Sequence, residues 1–141
     1  MVYLDEVAGV DYGFYQDGIA PNYLGGILEL DKSINWGTLD LSAAGPTDNL
    51  DVTDVNTVFI NTADNNVTLG GTVGGVDGQI LCVVIHNATN NTTIENEEGT
   101  GNQDFVLHAG ADETLIAEYG GWVFINHGGT HWHDASHAKH V

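Results

Sequence analysis

The sequence contains no arginine and only two lysines, Lys32 and Lys139, against 20 acidic residues, so its formal net charge is −18. A surface this acidic repels the phosphate backbone of nucleic acids and the headgroups of anionic lipids, which argues against both as partners. Two interpretations of the acidity remain. It is either a solvated surface suited to salty surroundings or a source of carboxylates for divalent cations.

Cysteine and long apolar runs are also scarce. Cys82 is the only cysteine, which excludes an intrachain disulfide, and its ILCVVI setting predicts a buried small hydrophobe. No apolar run approaches the roughly 20 residues that span a bilayer, so membrane insertion is not expected. The opening residues MVYLDEVAG lack the basic and apolar regions of a signal peptide. These absences predict a soluble protein without a secretion signal.

Recognisable catalytic motifs are missing as well. The sequence has no G-x-S-x-G, and its glycine-rich GGTVGGVDGQ lacks the lysine and the following helix of a P-loop. Glycan hydrolysis would need two carboxyl groups held at a fixed separation in a cleft, whereas the acids here lie in Gly- and Asn-rich loops. We therefore expect a non-enzymatic protein.

From Gly37 onward, short apolar segments alternate with Gly, Asn and Asp clusters. Residues 79–85, QILCVVI, predict a central strand buried on both faces, and Tyr119-Gly120-Gly121 predicts a tight hairpin. About nine short antiparallel strands at roughly ten-residue spacing predict an all-β sandwich or jelly-roll-like domain over residues 37–141. Because no repeat of constant period is visible, a solenoid is disfavoured.

Residues 1–36 have a different character. They hold four of the five tyrosines, and six glycines or prolines interrupt any helix longer than two turns. The segment predicts an extended N-terminal arm with a short strand at Ile27–Leu30. Aromatic side chains on such an arm pack either against its own domain or against a neighbouring subunit.

Histidines concentrate in the final fifteen residues. His131 and His133 flank Trp132, so on a strand both imidazoles lie on one face and make half of a transition-metal site. If DASHAKH were helical, His137 would instead share a face with His133 or Asp134. A polar, solvated C-terminus is the remaining alternative. The five histidines of this tail are His127, His131, His133, His137 and His140.

Acidic and aromatic residues supply further candidates. Asp48, Asp51 and Asp54 form an oxygen-rich stretch, TDNLDVTD, that would suit calcium, although its spacing is not that of an EF-hand. Solvated loop acids are the alternative there.

Aromatic faces stack on sugar rings, which makes Tyr119 and Trp132 candidate binding residues. The polar neighbours of Trp132 predict an exposed or intersubunit position for it. Trp122, in contrast, is expected to close the core.

A resemblance covers roughly half of the chain, Asn66 to Trp122. The strand VTLGG, the turn GGVDGQ leading into ILCVVI, the loop NATNNTTIEN and the closing ADETLIAEYGGWVFI resemble the β-structured modules of phage tail fibres, spikes and head decorations. This resemblance implies a non-enzymatic structural protein of the virion exterior: a capsid decoration, spike or tail-fibre component. Its implied partners are its own copies, usually as a homotrimer, and the major capsid or tail proteins.

In such fibre tips, H-x-H pairs on the trimer axis hold an iron ion. The His131–His133 pair is similar to these pairs, although here the motif occurs once and does not repeat. Two alternatives stay open: a receptor- or glycan-binding module of a virion, and a small metal-dependent enzyme that uses the histidine tail.

Overall fold

The computed structural model describes residues 37–99 and 103–136, which form twelve β-strands. This part of the chain contains no helix, and thus none that is long and apolar enough to cross a membrane. The predicted arm over residues 1–36 lies outside the described residues. The strands are β1 (Thr38–Leu41), β2 (Gly45–Thr47), β3 (Leu50–Asp51), β4 (Thr57–Asn61), β5 (Val67–Leu69), β6 (Gly71–Val73), β7 (Ile80–Asn87), β8 (Thr92–Ile94), β9 (Gln103–Val106), β10 (Glu113–Leu115), β11 (Gly120–His127) and β12 (His131–Asp134).

The first eight strands wind into a β-solenoid of about three turns. Strands β1, β4 and β7 stack in parallel on one face, β2, β5 and β8 stack on the second, and β3 and β6 stack on the third. Each turn bonds through its backbone to the turns beside it. Strands as short as β3 are therefore held by stacking between turns and not by their own length.

The last four strands close the end of the third turn. Antiparallel pairing joins β11 to β7, β10 to β8 and β9 to β6, while β12 lies between β11 and β9. Two of the solenoid faces thus merge into one sheet, β1-β4-β7-β11-β12-β9-β6-β3, and the second sheet has the order β10-β8-β5-β2. This cap pairs strand edges that the last turn would otherwise expose.

The tight hairpin of the cap lies between β11 and β12. Its turn contains Gly128 at φ 65° and Gly129 at φ 69°, a left-handed conformation that favours glycine. The hairpin predicted at Tyr119-Gly120-Gly121 was wrong. That segment connects β10 to β11, which belong to different sheets and do not pair with each other.

The core is built from inward side chains that stack in register. Val58 on β4 lies beside Val83 on β7, and Leu69 on β5 lies beside Ile94 on β8. Such pairs of branched side chains on adjacent strands are the unit of sheet stabilisation. The buried apolar residues are Leu41, Val52, Val58, Ile60, Val67, Leu69, Leu81, Val83, Ile85, Ile94, Phe105, Leu107, Trp122, Phe124 and Trp132.

The all-β class is confirmed, whereas the predicted antiparallel sandwich or jelly roll was wrong. Thr38, Thr57 and Cys82 occupy equivalent positions in the parallel stack, so successive turns are 19 and 25 residues long. Because the loops at the corners differ in length, the repeat has no constant period in the sequence. That irregularity is the reason that the solenoid escapes a search for repeats.

Strand β7 corrects a second prediction. It is central in its sheet, but it is buried on one face only, since its side chains alternate between the core and solvent. Full burial on both faces arises where other elements cover both sides of a parallel sheet. Here the outer side of the stack carries no second layer among the described residues. Cys82 consequently lies half-buried on the outer face, and not in the core as predicted.

The two tryptophans of the cap both lie in the core. Trp122 is 3% exposed, as expected, and its Nε1 donates to Glu113 Oε2 at 2.7 Å. The exposed position predicted for Trp132 was wrong, because its indole has no accessible surface. Its polar neighbours alternate outward and leave the ring facing in. The Nε1 of Trp132 donates to Thr72 Oγ1 at 2.7 Å.

This bond continues into a polar network that ties the cap to the third face. Thr72 Oγ1 donates to Gln103 Oε1 at 3.1 Å. The Nε2 of Gln103 donates to the carbonyl oxygens of Gly75 and Gly129, at 2.6 and 2.8 Å. A satisfied buried network of this kind specifies one register of the cap on the solenoid.

We predict that Trp132→Ala lowers the free energy of unfolding by about 3–5 kcal/mol, because it empties a core site and removes a hydrogen bond to Thr72. Urea unfolding followed by circular dichroism measures the change. Tyr119→Ala removes an aromatic ring that is 75% exposed and is expected to stay within about 0.5 kcal/mol of the wild type. Equal losses in the two variants would contradict the role assigned to Trp132.

Candidate functional site

An apolar patch covers the outside of the sheet where β4, β7 and β11 lie side by side. The register places Val84 beside Phe59, Cys82 beside Val123, and Ile80 beside Ile125. Four of these side chains are between 37% and 43% exposed, which is high for valine and isoleucine in the middle of a sheet. We call this patch the outer apolar face; it consists of Phe59, Ile80, Cys82, Val84, Val123 and Ile125.

The outer apolar face is also uncharged. Lys32 and Lys139 lie outside the described residues, which therefore contain acidic side chains but no lysine or arginine. The nearest acid by register is Asp40, opposite Phe59 on the edge strand β1. Phe59 also meets the His86 ring edge-on, with centroids 6.0 Å apart. An uncharged apolar surface on so acidic a body is typical of an interaction site.

A histidine cluster adjoins this face on the β11–β12 hairpin; it consists of His127, His131 and His133. His127 and His131 are directly paired across the hairpin, and His133 is paired with Ile125 of the outer apolar face. The ring centroid of His133 lies 5.7 Å from that of His127 and 6.4 Å from that of His131. On the other side, His131 is the register partner of Asp104 on β9.

The predicted metal residues are therefore brought to one side of a strand. His131 and His133 are two apart on β12, and the structure adds His127 from the neighbouring strand. Within residues 37–99 and 103–136, no group of three or more His, Cys, Asp or Glu side chains is arranged to hold a metal ion. Metal binding by the pair stays a prediction, and His137 and His140 lie outside the described residues.

The two predicted binding aromatics have opposite environments. Tyr119 is 75% exposed in the connection before β11, close in sequence to the equally exposed Ile116. Trp132 is buried, so it offers no ring face to a ligand. The binding role predicted for Trp132 depended on an exposed ring, which the structure does not show. Sequence reasoning missed the outer apolar face, because Ile80, Cys82 and Val84 at its centre were assigned to a strand buried on both faces.

Two of the three aspartates proposed for calcium, Asp48 and Asp51, lie against different glycines. The Oδ1 of Asp48 lies 2.6 Å from the position that a Cβ on Gly70 would occupy, whereas Asp51 Oδ1 lies 2.8 Å from the equivalent position on Gly74. The backbone N–H of Thr53 donates to Asp51 Oδ1 at 3.0 Å, and this bond lowers the pKa of the Asp51 carboxyl. Asp48 thus follows β2 and lies against Gly70, whereas Asp51 lies on β3 against Gly74.

A surface cleft of about 410 Å³ opens where the first two turns meet the loop before β7. Two of its polar side chains are used within the fold: Gln79 Nε2 donates to the carbonyl oxygens of Val52 and Val55, and Asp77 Oδ1 accepts the Gly128 N–H. These bonds hold the loops around the cleft in place. Its lining residues are Thr53, Asp54, Asn56, Gly74, Val76, Asp77, Gly78 and Gln79.

Two carboxylates meet at a corner of the solenoid, a feature that the sequence did not predict. Asp48, Gly70 and Glu95 follow directly after register-paired residues of β2, β5 and β8, so they stack at one corner of three turns. The Oε2 of Glu95 and the Oδ1 of Asp48 both lie 2.6 Å from the position of a Cβ on Gly70. Burial raises the pKa of Glu95, and the charges of Asp112, Asp48 and Glu98 add to the effect.

We predict that Glu95→Gln raises the urea midpoint at pH 7, because the amide removes one of several crowded negative charges. The folded state binds the Glu95 proton more tightly than the unfolded state does. Its contribution to stability is therefore present below the ordinary pKa of 4.5 and is lost as the pH rises through the raised value. The difference between variant and wild type should accordingly shrink as the pH falls below 4.5.

Glu97→Gln, at an exposed position two residues away, is the matched control and is expected to leave the midpoint unchanged. A midpoint difference for Glu95→Gln that does not vary with pH would count against the corner repulsion.

Comparison with known proteins leaves the function to be inferred from this geometry. The resemblance of residues 66–122 to virion modules therefore stays a prediction, and so do the trimer and the partners that it implies. No protein-family model, no curated protein and no solved structure matches this chain.

Proposed function

We propose that this protein is a non-enzymatic structural protein that assembles as a homotrimer on the exterior of a virion. The observation that carries the proposal is the outer apolar face, an uncharged patch on an acidic β-solenoid. Apolar surface exposed in this way favours association, since burying it removes it from water. The virion location comes from the resemblance of residues 66–122 to phage fibre, spike and decoration modules.

The chemistry of the remaining surface supports a scaffold over an enzyme. The corner carboxylates Asp48 and Glu95 lie against Gly70 and are absent from the lining of the cleft. Around that cleft, the polar groups bond to the backbone and so hold loops in place. A stack of turns tied by backbone bonds is suited to carrying contacts over an extended surface. Its proposed partners are copies of itself and the major capsid or tail proteins.

We predict that the full chain has the mass of three 15.0 kDa subunits in light scattering at micromolar concentration and neutral pH. The same chain, carrying a tag, should remain bound to intact particles after density-gradient purification. A single 15.0 kDa species at every concentration would contradict the trimer. A trimer that never co-purifies with particles would contradict the virion role and leave the assembly intact.

A glycan-binding module is the second candidate, and the exposure of Tyr119 favours it. A ring that is 75% exposed has a face free for stacking on a sugar. Ile116, three residues earlier in the chain, is 68% exposed.

On this second candidate, a saccharide retained on a glycan array should lose most of its binding to Tyr119→Ala. Ile116→Asn, a nearby change without an aromatic ring, is expected to have a smaller effect. Failure of the wild type to bind any saccharide would remove the candidate.

A further inference from the structure

We infer that the outer apolar face is the surface through which copies of this chain contact one another. This inference rests on the proposed assembly and names the part of the molecule that makes it. It also identifies the residue, Cys82, whose reactivity reports the contact.

The outer apolar face has a shape that suits contact with another sheet. Strands β4, β7 and β11 are hydrogen-bonded neighbours, and their outward side chains lie in rows set by the register. Three register pairs make up these rows: Phe59 with Val84, Cys82 with Val123, and Ile80 with Ile125. Gly121, opposite Val84, adds no side chain to the surface. Rows of short branched side chains make a low-relief surface that a second sheet can meet closely.

The charge of the chain favours a further copy as the occupant of the outer apolar face. Every formally charged Asp, Glu, Lys or Arg side chain in the described part of the chain is acidic, so contacts through most surfaces of two copies would bring carboxylates together. The outer apolar face carries no carboxylate. Copies that turn this face toward a common three-fold axis bury apolar surface there and bring few acids together, Asp40 beside Phe59 being the nearest, whereas a basic partner would be drawn to the acidic surfaces instead.

The area of the outer apolar face indicates how far the contact between copies must extend. Three strands, two of them eight residues long, make a face of roughly 14 by 26 Å, on the order of 400 Å². A standard stable interface takes about 800 Å² from each partner. The contact must therefore extend beyond the outer apolar face, and the histidine cluster beside Ile125, which contains no carboxylate, adjoins it. Association through this surface is expected to depend on concentration.

Cys82 lies inside this surface, between Thr57 on one neighbouring strand and Val123 on the other. It is the only cysteine in the chain and is half-buried in the single subunit. The rate at which Cys82 reacts with a thiol reagent such as Ellman's reagent therefore shows whether the outer apolar face is covered, without any substitution. We expect Cys82 to react at least about tenfold more slowly when the chain is assembled, since reaction needs an accessible thiolate.

The experiment compares Val123→Asp with Val76→Asp in the full chain. Both variants replace an exposed valine by a carboxylate, but Val76 lies 63% exposed in the loop before β7 and outside the face. Light scattering is expected to show at least about tenfold weaker association for Val123→Asp, since a carboxylate buried without a partner is costly. Val76→Asp should associate like the wild type. Circular dichroism checks that both variants are folded.

Each outcome has one meaning. If the wild type assembles and Val123→Asp assembles equally well, the inference fails while the proposed assembly stands. If the wild type is monomeric at all concentrations, both fail. A wild-type dimer that Val123→Asp dissociates supports the face and overturns the trimer. If Val123→Asp does not fold, Cys82 of the wild type decides: protection that grows with concentration supports the inference, and reactivity independent of concentration overturns it.

Discussion

The parallel hydrogen-bond ladder between successive turns is the constraint on which the rest of this structure depends. It holds strands of two to five residues that would have no stability alone, and it sets their side chains in register. On the inside, that register stacks Val58 on Val83 and builds the core. On the outside, the same register places Phe59 beside Val84. The core and the outer apolar face are thus two sides of one ladder.

The cap determines how far that outer surface extends. Strand β11 pairs with β7 and adds Val123 and Ile125 to the face, while β12 brings the histidine cluster to its border. The cap is held in this position by the bond from Trp132 to Thr72 and by the network of Gln103 behind it. The β11–β12 hairpin therefore both ends the solenoid and completes the outer apolar face.

Electrostatic repulsion explains why the uncharged area stands out. At the corner where Glu95 meets Asp48, burial and neighbouring carboxylates already raise the pKa of Glu95. The described residues contain no lysine or arginine, since both lysines lie outside them. Contacts between copies would multiply this repulsion wherever acids meet. A face without acids is the place where close approach carries the lowest electrostatic cost.

Alternation along the sequence determined which segments are strands and which side chains share a face. His131 and His133 fall on one side of β12, as the period of two requires. About nine strands were predicted and twelve are found, since strands of two or three residues such as β2, β3 and β6 are too short to show a period. The sequence does not tell which face points inward, so Trp132 and Cys82 were each assigned to the wrong side. Tertiary structure alone decided that point, together with the parallel stacking, because both depend on hydrogen bonds and packing between residues about 20 or more positions apart.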